Sequence, residues 1–145
     1  MLIYEMFKNA DPRHPAYAGT STVTYGELNE AVECYRNTLY ALGIRKGDRV
    51  GLYTANCAEF VYVYMGVTSL GAIIVPINNS LVDREVDYIL KDAGAKLLVS
   101  DTPLTVSCDF IELSRLNEKA FSENAPAAPD VSGELSEDDV CALVY

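Results

Sequence analysis

The side chains best suited to contact a ligand are three asparagines that follow apolar, strand-like runs. Asn56 comes shortly after the run Arg49–Tyr53, and Asn78 and Asn79 come directly after Ala72–Ile77. Parallel sheets bind ligands at the carboxyl ends of their strands, and an asparagine amide offers both a donor and an acceptor. We therefore predict these three residues as candidates for cofactor binding. Each also has a structural interpretation, because Asn56 suits a helix N-cap and the other two suit a turn.

No set of residues has the spacing of a catalytic motif or a metal site. The patterns G-x-G-x-x-G, G-x-x-x-x-G-K-[ST] and G-x-S-x-G are absent. The only histidine, His14, falls in a proline-rich turn and is expected to face solvent. Asp138 and Asp139 can be interpreted as an acid/base or metal-binding pair, but charged residues that keep the next apolar strand soluble are the favoured interpretation. We predict no catalytic residue and no metal ligand in this chain.

The composition indicates one globular domain that binds neither nucleic acid nor anionic lipid. Of 145 residues, 50% are hydrophobic and 22% are charged, and the formal net charge is −10. The basic residues are scattered, so they form no patch for phosphate groups. The four cysteines lack zinc-site spacing, and Cys57 and Cys141 are expected to be buried free thiols. With no signal peptide at the N-terminus, these features predict a cytoplasmic protein.

One stretch, Phe60–Ile77, has the length and hydropathy of a membrane span. Gly71 and Pro76 interrupt it, Thr68 and Ser69 lie inside it, and asparagines follow it. We therefore predict a buried helix followed by a buried strand, and no transmembrane segment.

Apolar periodicity predicts the elements that position these residues. Thr24 and Glu27 have the spacing of a capping box and begin a helix that ends before Gly43. A second helix, from Cys57 to about Leu70, is apolar nearly all round, and Gly66 within it is expected to admit another backbone. A third helix covers Asp83–Ala93. The predicted strands are Arg49–Tyr53, Ala72–Ile77, Lys96–Ser100, Cys108–Ile111 and Val140–Tyr145, of which the last is expected to be buried.

The remaining segments are less regular. A short helix is predicted over Leu2–Lys8, and a hairpin with a turn at Gly19–Thr20 follows it. Residues 117–139 are acidic and contain two prolines, so they are predicted to be a surface connection with one helical turn. The alternation of strands and helices predicts an α/β fold with three layers, in which a mostly parallel sheet has helices on both faces.

Several runs, in this order, resemble motifs of the adenylate-forming (AMP-binding) enzymes. The resemblance covers roughly Pro15–Asp101 and resumes at Asp139–Tyr145. It is carried by Val23–Leu28, which resembles the first core motif, by Gly43–Val50, Asn56–Phe60, Tyr64–Gly66 and Glu85–Lys96, and by Gly71–Asn78, which resembles the second core motif.

This resemblance implies that residues 1–145 are the N-terminal part of the large AMP-binding domain. In such enzymes a strand like Val140–Tyr145 leads into a Ser/Thr/Gly-rich phosphate loop, so the sequence is expected to stop just before that loop. The complete protein would activate a carboxylic acid with ATP and Mg²⁺ and pass the acyl group to coenzyme A. The resemblance implies that the chain by itself is inactive scaffold, binds no cofactor, and contributes one wall of the acyl or coenzyme A channel.

Within the family, the runs around Lys46–Val50 and Val75–Asn78 are most similar to fatty acyl-CoA synthetases. Asn79 stands where those enzymes commonly have proline, and Val82 where a Ser/Thr cap is common. Two alternatives stay open: a peptide-synthetase adenylation domain, and a non-catalytic module that binds a small ligand or a partner. The open sheet edge beside the last strand would favour self-association of the latter.

Overall fold

The structure, a computed structural model, describes residues 1–145 and is built around a four-stranded parallel sheet in the order β4-β3-β5-β6. A separate antiparallel hairpin, β1–β2, precedes the sheet in the chain. The predicted α/β fold is confirmed. Two single 3-10 turns lie at Ile3–Glu5 and Ser132–Glu134. The other elements are β1 (Pro15–Ala18), β2 (Thr22–Thr24), α1 (Tyr25–Ala41), β3 (Arg49–Tyr53), α2 (Ala58–Ser69), β4 (Ile73–Ile77), α3 (Asp83–Ala93), β5 (Ala95–Ser100), β6 (Asp109–Glu112) and α4 (Leu113–Ser122).

Helices cover both faces of the sheet, because alternate strand residues point to opposite sides. Val50 and Leu52 of β3 belong to a core of 19 buried residues that α1, α2 and α4 share. Tyr53 of β3 and Leu98 of β5 face a core of eight buried residues that is closed mainly by α3. On the larger face α1 packs on α2 and α4 rather than on the sheet, so that side is two helices deep.

The start of α1 and its contact with α2 follow directly from the sequence. The Thr24 hydroxyl oxygen accepts a hydrogen bond from the Glu27 N–H, and the Glu27 carboxylate accepts from the Thr24 N–H at 2.8 Å. Gly66 of α2 lies against α1, where an added Cβ would come within 3.3 Å of the backbone nitrogen of Arg36. The predicted capping box and the predicted close approach at Gly66 are therefore both confirmed.

The bounds of α3 are those predicted, Asp83–Ala93. Gly94 ends it in the left-handed conformation (φ +65°), which glycine adopts without a Cβ clash. The run Phe60–Ile77 is divided between α2 and β4, as predicted, and no helix of the structure is both long enough and apolar enough to cross a bilayer.

The prediction for residues 117–139 is wrong in its first part. Helix α4 extends through Asn117 to Ser122, and its apolar face, Leu113, Leu116 and Ala120, is buried in the larger core. About one turn of this helix, Leu113–Leu116, lies before Asn117, where no helix was predicted. Only residues 123–139 form the surface connection, which Arg36 and Asn37 of α1 hold by hydrogen bonds to Ala128 and Pro129.

The prediction of a buried strand at Val140–Tyr145 is also wrong. The segment runs parallel to β4, but it makes only two backbone hydrogen bonds, both with Ile74. Val140, Val144 and Tyr145 are 56%, 79% and 56% exposed. The segment is exposed because β4 pairs with one of its edges and no strand pairs with the other. The opening helix is likewise shorter than predicted, a single 3-10 turn.

Candidate functional site

The carboxyl ends of β3, β4 and β5 lie side by side, because these strands are parallel neighbours in the sheet. Their last residues are Tyr53, Ile77 and Ser100. The segments that follow therefore meet at one edge, which we call the carboxyl edge. Asn56 follows β3, and Asn78 and Asn79 follow β4, so the structure brings the three candidate residues to this edge.

The structure shows that Asn56 is not the N-cap of α2. The N-cap of α2 is Cys57, and no side chain caps this helix. Asn56 is exposed, and its amide makes no hydrogen bond within the chain. The prediction of Asn56 as a helix cap was wrong because the extended backbone at Cys57 delays the helix by one residue. The amide of Asn56 is thus free to bind another molecule.

Asn78 and Asn79 differ from each other. The Asn78 side-chain oxygen accepts a hydrogen bond from the Ser80 N–H at 2.9 Å, which is the turn geometry that asparagine favours. The side chain of Asn79 is exposed, whereas its carbonyl oxygen lies 2.8 Å from the Tyr53 hydroxyl, which donates to it and to the Leu81 carbonyl. Tyr53 therefore fixes the backbone of the β4–α3 segment and leaves the Asn79 amide free.

Asp101, the first residue after β5, fixes the β3–α2 segment, and the sequence analysis did not identify it. One of its carboxylate oxygens accepts hydrogen bonds from the Thr54 hydroxyl and from the Ala55 N–H, both at 2.9 Å. Thr54 is only 7% exposed, so its hydroxyl needs such a partner. An aspartate directly after a predicted strand was the available signal, but sequence spacing does not show which segment it contacts.

Two carboxylates of α3 hold the β5–β6 segment. Asp83 accepts a hydrogen bond from the Thr105 N–H, and Asp87 accepts from both the N–H and the hydroxyl of Ser107, all at 2.8 Å. Lys91 lies 2.6 Å from Asp87. The hydrogen bond from Lys91, followed by those from Ser107, lowers the pKa of Asp87 to about 2.

A cleft of about 460 Å³ opens at the carboxyl edge between α2 and α4. Burial raises the pKa of the Cys57 thiol, so this cysteine is not an activated nucleophile. The other groups donate or accept hydrogen bonds and suit ligand contact rather than covalent chemistry. The cleft is lined by Thr54, Ala55, Cys57, Glu59, Asp101, Leu113, Ser114 and Asn117.

The remaining sequence candidates lie elsewhere. His14 is exposed and stands 3.8 Å from Asp11. Asp139 lies 3.4 Å from Lys46, and Asp138 makes no side-chain hydrogen bond. All four cysteines are free, but neither of the two predicted to be buried is fully so. Cys57 is half-buried, and Cys141 is exposed because it lies on the outer segment beside β4. No three His, Cys, Asp or Glu side chains are grouped as metal ligands.

The chain matches the model of the AMP-binding enzyme family over residues 5–145. It is 41% identical to the long-chain-fatty-acid–CoA ligase FadD13 of Mycobacterium tuberculosis, over 92% of this chain and 29% of that protein. The chain thus spans less than a third of that relative.

Two solved structures have the same fold. The N-terminal domain of FACL13 from M. tuberculosis superposes with a TM-score of 0.84 at 31% identity, over 99% of this chain and 41% of that one. An artificially fused adenylation–PCP di-domain from Klebsiella oxytoca, NpsA-ThdA, superposes with a TM-score of 0.88 over 99% of this chain and 28% of that one, at 22% identity, which shows the fold alone. With the match to the family model over nearly the whole chain, the conclusion is that this chain belongs to the AMP-binding enzymes.

Proposed function

We propose that this chain is the N-terminal part of an ATP-dependent fatty acid–CoA ligase. The observation that carries the proposal is the 41% identity to the ligase FadD13 across 92% of the chain. The chain covers 29% of that relative, so the reaction is proposed for the complete protein that contains these residues.

The proposed reaction has two steps. A carboxylate oxygen of the fatty acid attacks the α-phosphorus of ATP and displaces pyrophosphate, which leaves an acyl-adenylate. The thiol of coenzyme A then attacks the acyl carbon and displaces AMP, and the thiol proton is released. ATP and coenzyme A are the cosubstrates, and Mg²⁺ is proposed as the ion that offsets phosphate charge. We assign no catalytic residue and no metal ligand to this chain.

The proposed contribution of this chain is a scaffold and one wall of a substrate channel at the carboxyl edge. Three observations support this. The side-chain amides of Asn56 and Asn79 are exposed and make no hydrogen bond within the chain. The adjacent cleft presents hydroxyl, amide and carboxylate groups. Finally, open α/β sheets bind ligands outside the carboxyl ends of their strands.

The surface and the cysteines support the remaining assignments. Free thiols suit a reducing compartment, so we propose a cytoplasmic location. The net charge of −10 disfavours nucleic acid as a partner. The outer edge of the segment Val140–Tyr145 is unpaired, which supports a weak tendency to self-associate when nothing covers it.

Acid-dependent exchange of labelled pyrophosphate into ATP tests the proposal. The complete reading frame that encodes these residues would be expressed and assayed with a series of fatty acids and, separately, with amino acids. Exchange that depends on fatty acids, followed by thioester formation with coenzyme A, is expected. Exchange with amino acids alone would instead favour a peptide-synthetase adenylation domain. The absence of exchange with any acid would favour a non-catalytic module.

For the 145-residue chain alone, we predict no measurable ATP binding. The basic residues are few and scattered, and no glycine-rich phosphate loop is present. Isothermal titration of the purified chain with Mg-ATP should give only the heat of dilution. A saturable signal with micromolar affinity would contradict the prediction, and it would show that the carboxyl edge binds nucleotide unaided.

A further inference from the structure

Hydrogen bonds of four side chains connect the segments after β3, β4 and β5 into a closed circuit that includes the end of β3 and helix α3. Tyr53, at the end of β3, donates to the β4–α3 segment. Asp101, at the start of the β5–β6 segment, accepts from the β3–α2 segment. Asp83 and Asp87 of α3 accept from the far part of the β5–β6 segment. We call these contacts the loop ring.

The circuit closes because the hydrogen bonds lead from one member to the next and return to the first. The β3 side holds the β4–α3 segment, α3 holds the β5–β6 segment, and the β5–β6 segment returns through Asp101 to the residues after β3. A backbone bond from the Asp101 N–H to the Tyr53 oxygen, 3.2 Å long, joins the first and the last members. The β5–β6 segment is therefore held at both ends, by Asp101 to the residues after β3 and by Asp83 and Asp87 to α3.

The side-chain contacts are distinct from the hydrogen bonds of the sheet, although the aromatic ring of Tyr53 belongs to the smaller core. In most of them the acceptor is a carboxylate, and such a hydrogen bond contributes more than a neutral one. Carboxylates on an exposed edge are ordinarily hydrated. Here they bind the loops instead, which orders segments that would otherwise be mobile.

The ring holds the backbone next to both free amides of the carboxyl edge. Asp101 binds the N–H of Ala55, the residue before Asn56. Tyr53 binds the carbonyl of Asn79 itself. Neither contact involves the two side-chain amides, which stay available to a ligand while their backbone is fixed.

We propose that the loop ring is a single positioning unit for the ligand-facing carboxyl edge and that Asp101 is its principal positioning residue. The inference rests on the proposed function, in which this edge is a channel wall. In this scheme Asp101 acts through its hydrogen bonds to the Thr54 hydroxyl and the Ala55 N–H.

Amide hydrogen exchange of the 145-residue chain, followed by NMR, tests the ring without any assay of activity. Asp101→Ala removes the oxygen that accepts both hydrogen bonds, and exchange at Ala55 is expected to rise about tenfold. Because the ring is closed, exchange at Thr105 and Ser107 is expected to rise as well, although neither residue contacts Asp101. Asp101→Asn keeps a carbonyl oxygen and is expected to retain most of the protection. The matched control is Asp138→Ala, because the carboxylate of Asp138 makes no hydrogen bond.

A second variant covers the case in which Asp101→Ala fails to fold. Tyr53→Phe removes only the hydroxyl that donates to the Asn79 and Leu81 carbonyls, and it keeps the buried aromatic side chain. Faster exchange at Ala55 and Thr105 in this variant is expected. If each variant changes only the amides beside its own substitution, the segments are independent and the proposal is wrong.

The role of the ring at the ligand-facing edge has its own readout in the complete enzyme. Asp101→Ala should raise the KM of ATP, acid or coenzyme A severalfold with little change in kcat, and Asp101→Asn should restore it. Unchanged KM values in an active enzyme would overturn the positioning role. A complete protein that activates no acid would overturn the proposed function, and the exchange data would still decide whether the ring exists.

Discussion

The two faces of the parallel sheet are stabilised in different ways. On one face α2 and α4 pack on the sheet, and α1 packs across both of them, so that 19 buried residues form one core. On the other face α3 lies alone over eight buried residues, and its Asp83 and Asp87 hold a loop by hydrogen bonds. The first face depends on apolar packing, and the second combines a small core with polar contacts.

This difference separates stability from the positioning of the candidate site. Packing of the larger face involves no residue of the carboxyl edge that is free to bind a ligand. The loop ring lies at the carboxyl edge, where local opening costs less than global unfolding. Substitutions in the larger core should therefore lower the free energy of unfolding, and those in the ring should loosen loops while the fold persists.

The largest effect is expected from a pair of matched leucines. Leu116 of α4 and Leu90 of α3 are 0% and 1% exposed, and each packs one helix on the sheet. Leu→Ala in a core costs about 2–5 kcal/mol, and the cost is greater where the surroundings cannot collapse into the cavity. Because α1 covers α4 from outside, Leu116→Ala should fall near the upper end of this range. Leu90→Ala should fall near the lower end, since α3 can settle onto the sheet.

Urea denaturation of both variants and of the unchanged chain measures this difference. An exposed leucine, Leu42, provides the control, because Leu42→Ala should change the free energy of unfolding little. Equal losses at Leu116 and Leu90 would show that the outer helix α1 does not stiffen its face, and the contrast between the two faces would lose its physical basis.

A smaller effect, of opposite sign on the two faces, is expected at the helix starts. Thr24→Ala removes the side-chain acceptor of the α1 capping box and should cost about 1 kcal/mol. At the start of α3, Glu85 already accepts from the Val82 N–H, but Val82 offers no acceptor in return and is 62% exposed. Val82→Thr completes the box without loss of volume and should add about 0.5–1 kcal/mol. Thermal or urea unfolding measures both changes, and a destabilised Val82→Thr would refute the capping argument.

The elements with strong local signals were predictable from the sequence. The capping box at Thr24, the apolar face and glycine cap of α3, and the run Arg49–Tyr53 each depend on residues close in the chain. The crowding at Gly66 was predictable as well, because a glycine in an apolar helix has few other uses.

Features that depend on tertiary contacts were not predictable. Helix α4 has only three buried positions among polar residues, so its sequence looks like a surface loop. The segment Val140–Tyr145 has the composition of a buried strand, but burial depends on a neighbour on each side, which composition does not specify. For the candidate site, the sequence placed Asn56, Asn78 and Asn79 at one edge, whereas the contacts of Asp101 join residues 46 and 47 positions apart.

The smallest and most local effect concerns acid. The pKa of Asp87 is lowered to about 2 from an ordinary value of 3.8, first by the hydrogen bond from Lys91 and then by those from Ser107. A carboxylate with a lowered folded pKa stabilises its contacts above the ordinary value, and this contribution is lost as the pH falls through the folded pKa. Between about pH 4 and pH 2 Ser107 should therefore lose its hydrogen bonds to Asp87, while the core around Leu116 contains no group that titrates with it.

NMR titration of the Asp87 carboxyl carbon, followed together with the Ser107 amide, tests this expectation. The two signals should share a midpoint near pH 2, and the amide of Leu116 should not follow them. Lys91→Met removes the largest cause of the lowered pKa, so the midpoint should move up toward 3.8. Glu118→Gln, a charge change on α4 far from this contact, should leave it unmoved. A midpoint near pH 4 in the unchanged chain would mean that Asp87 is hydrated rather than bonded to Ser107. The smaller face would then hold its loop only by packing and by the contact of Asp83 with Thr105, and the polar half of the contrast between the faces would be weakened.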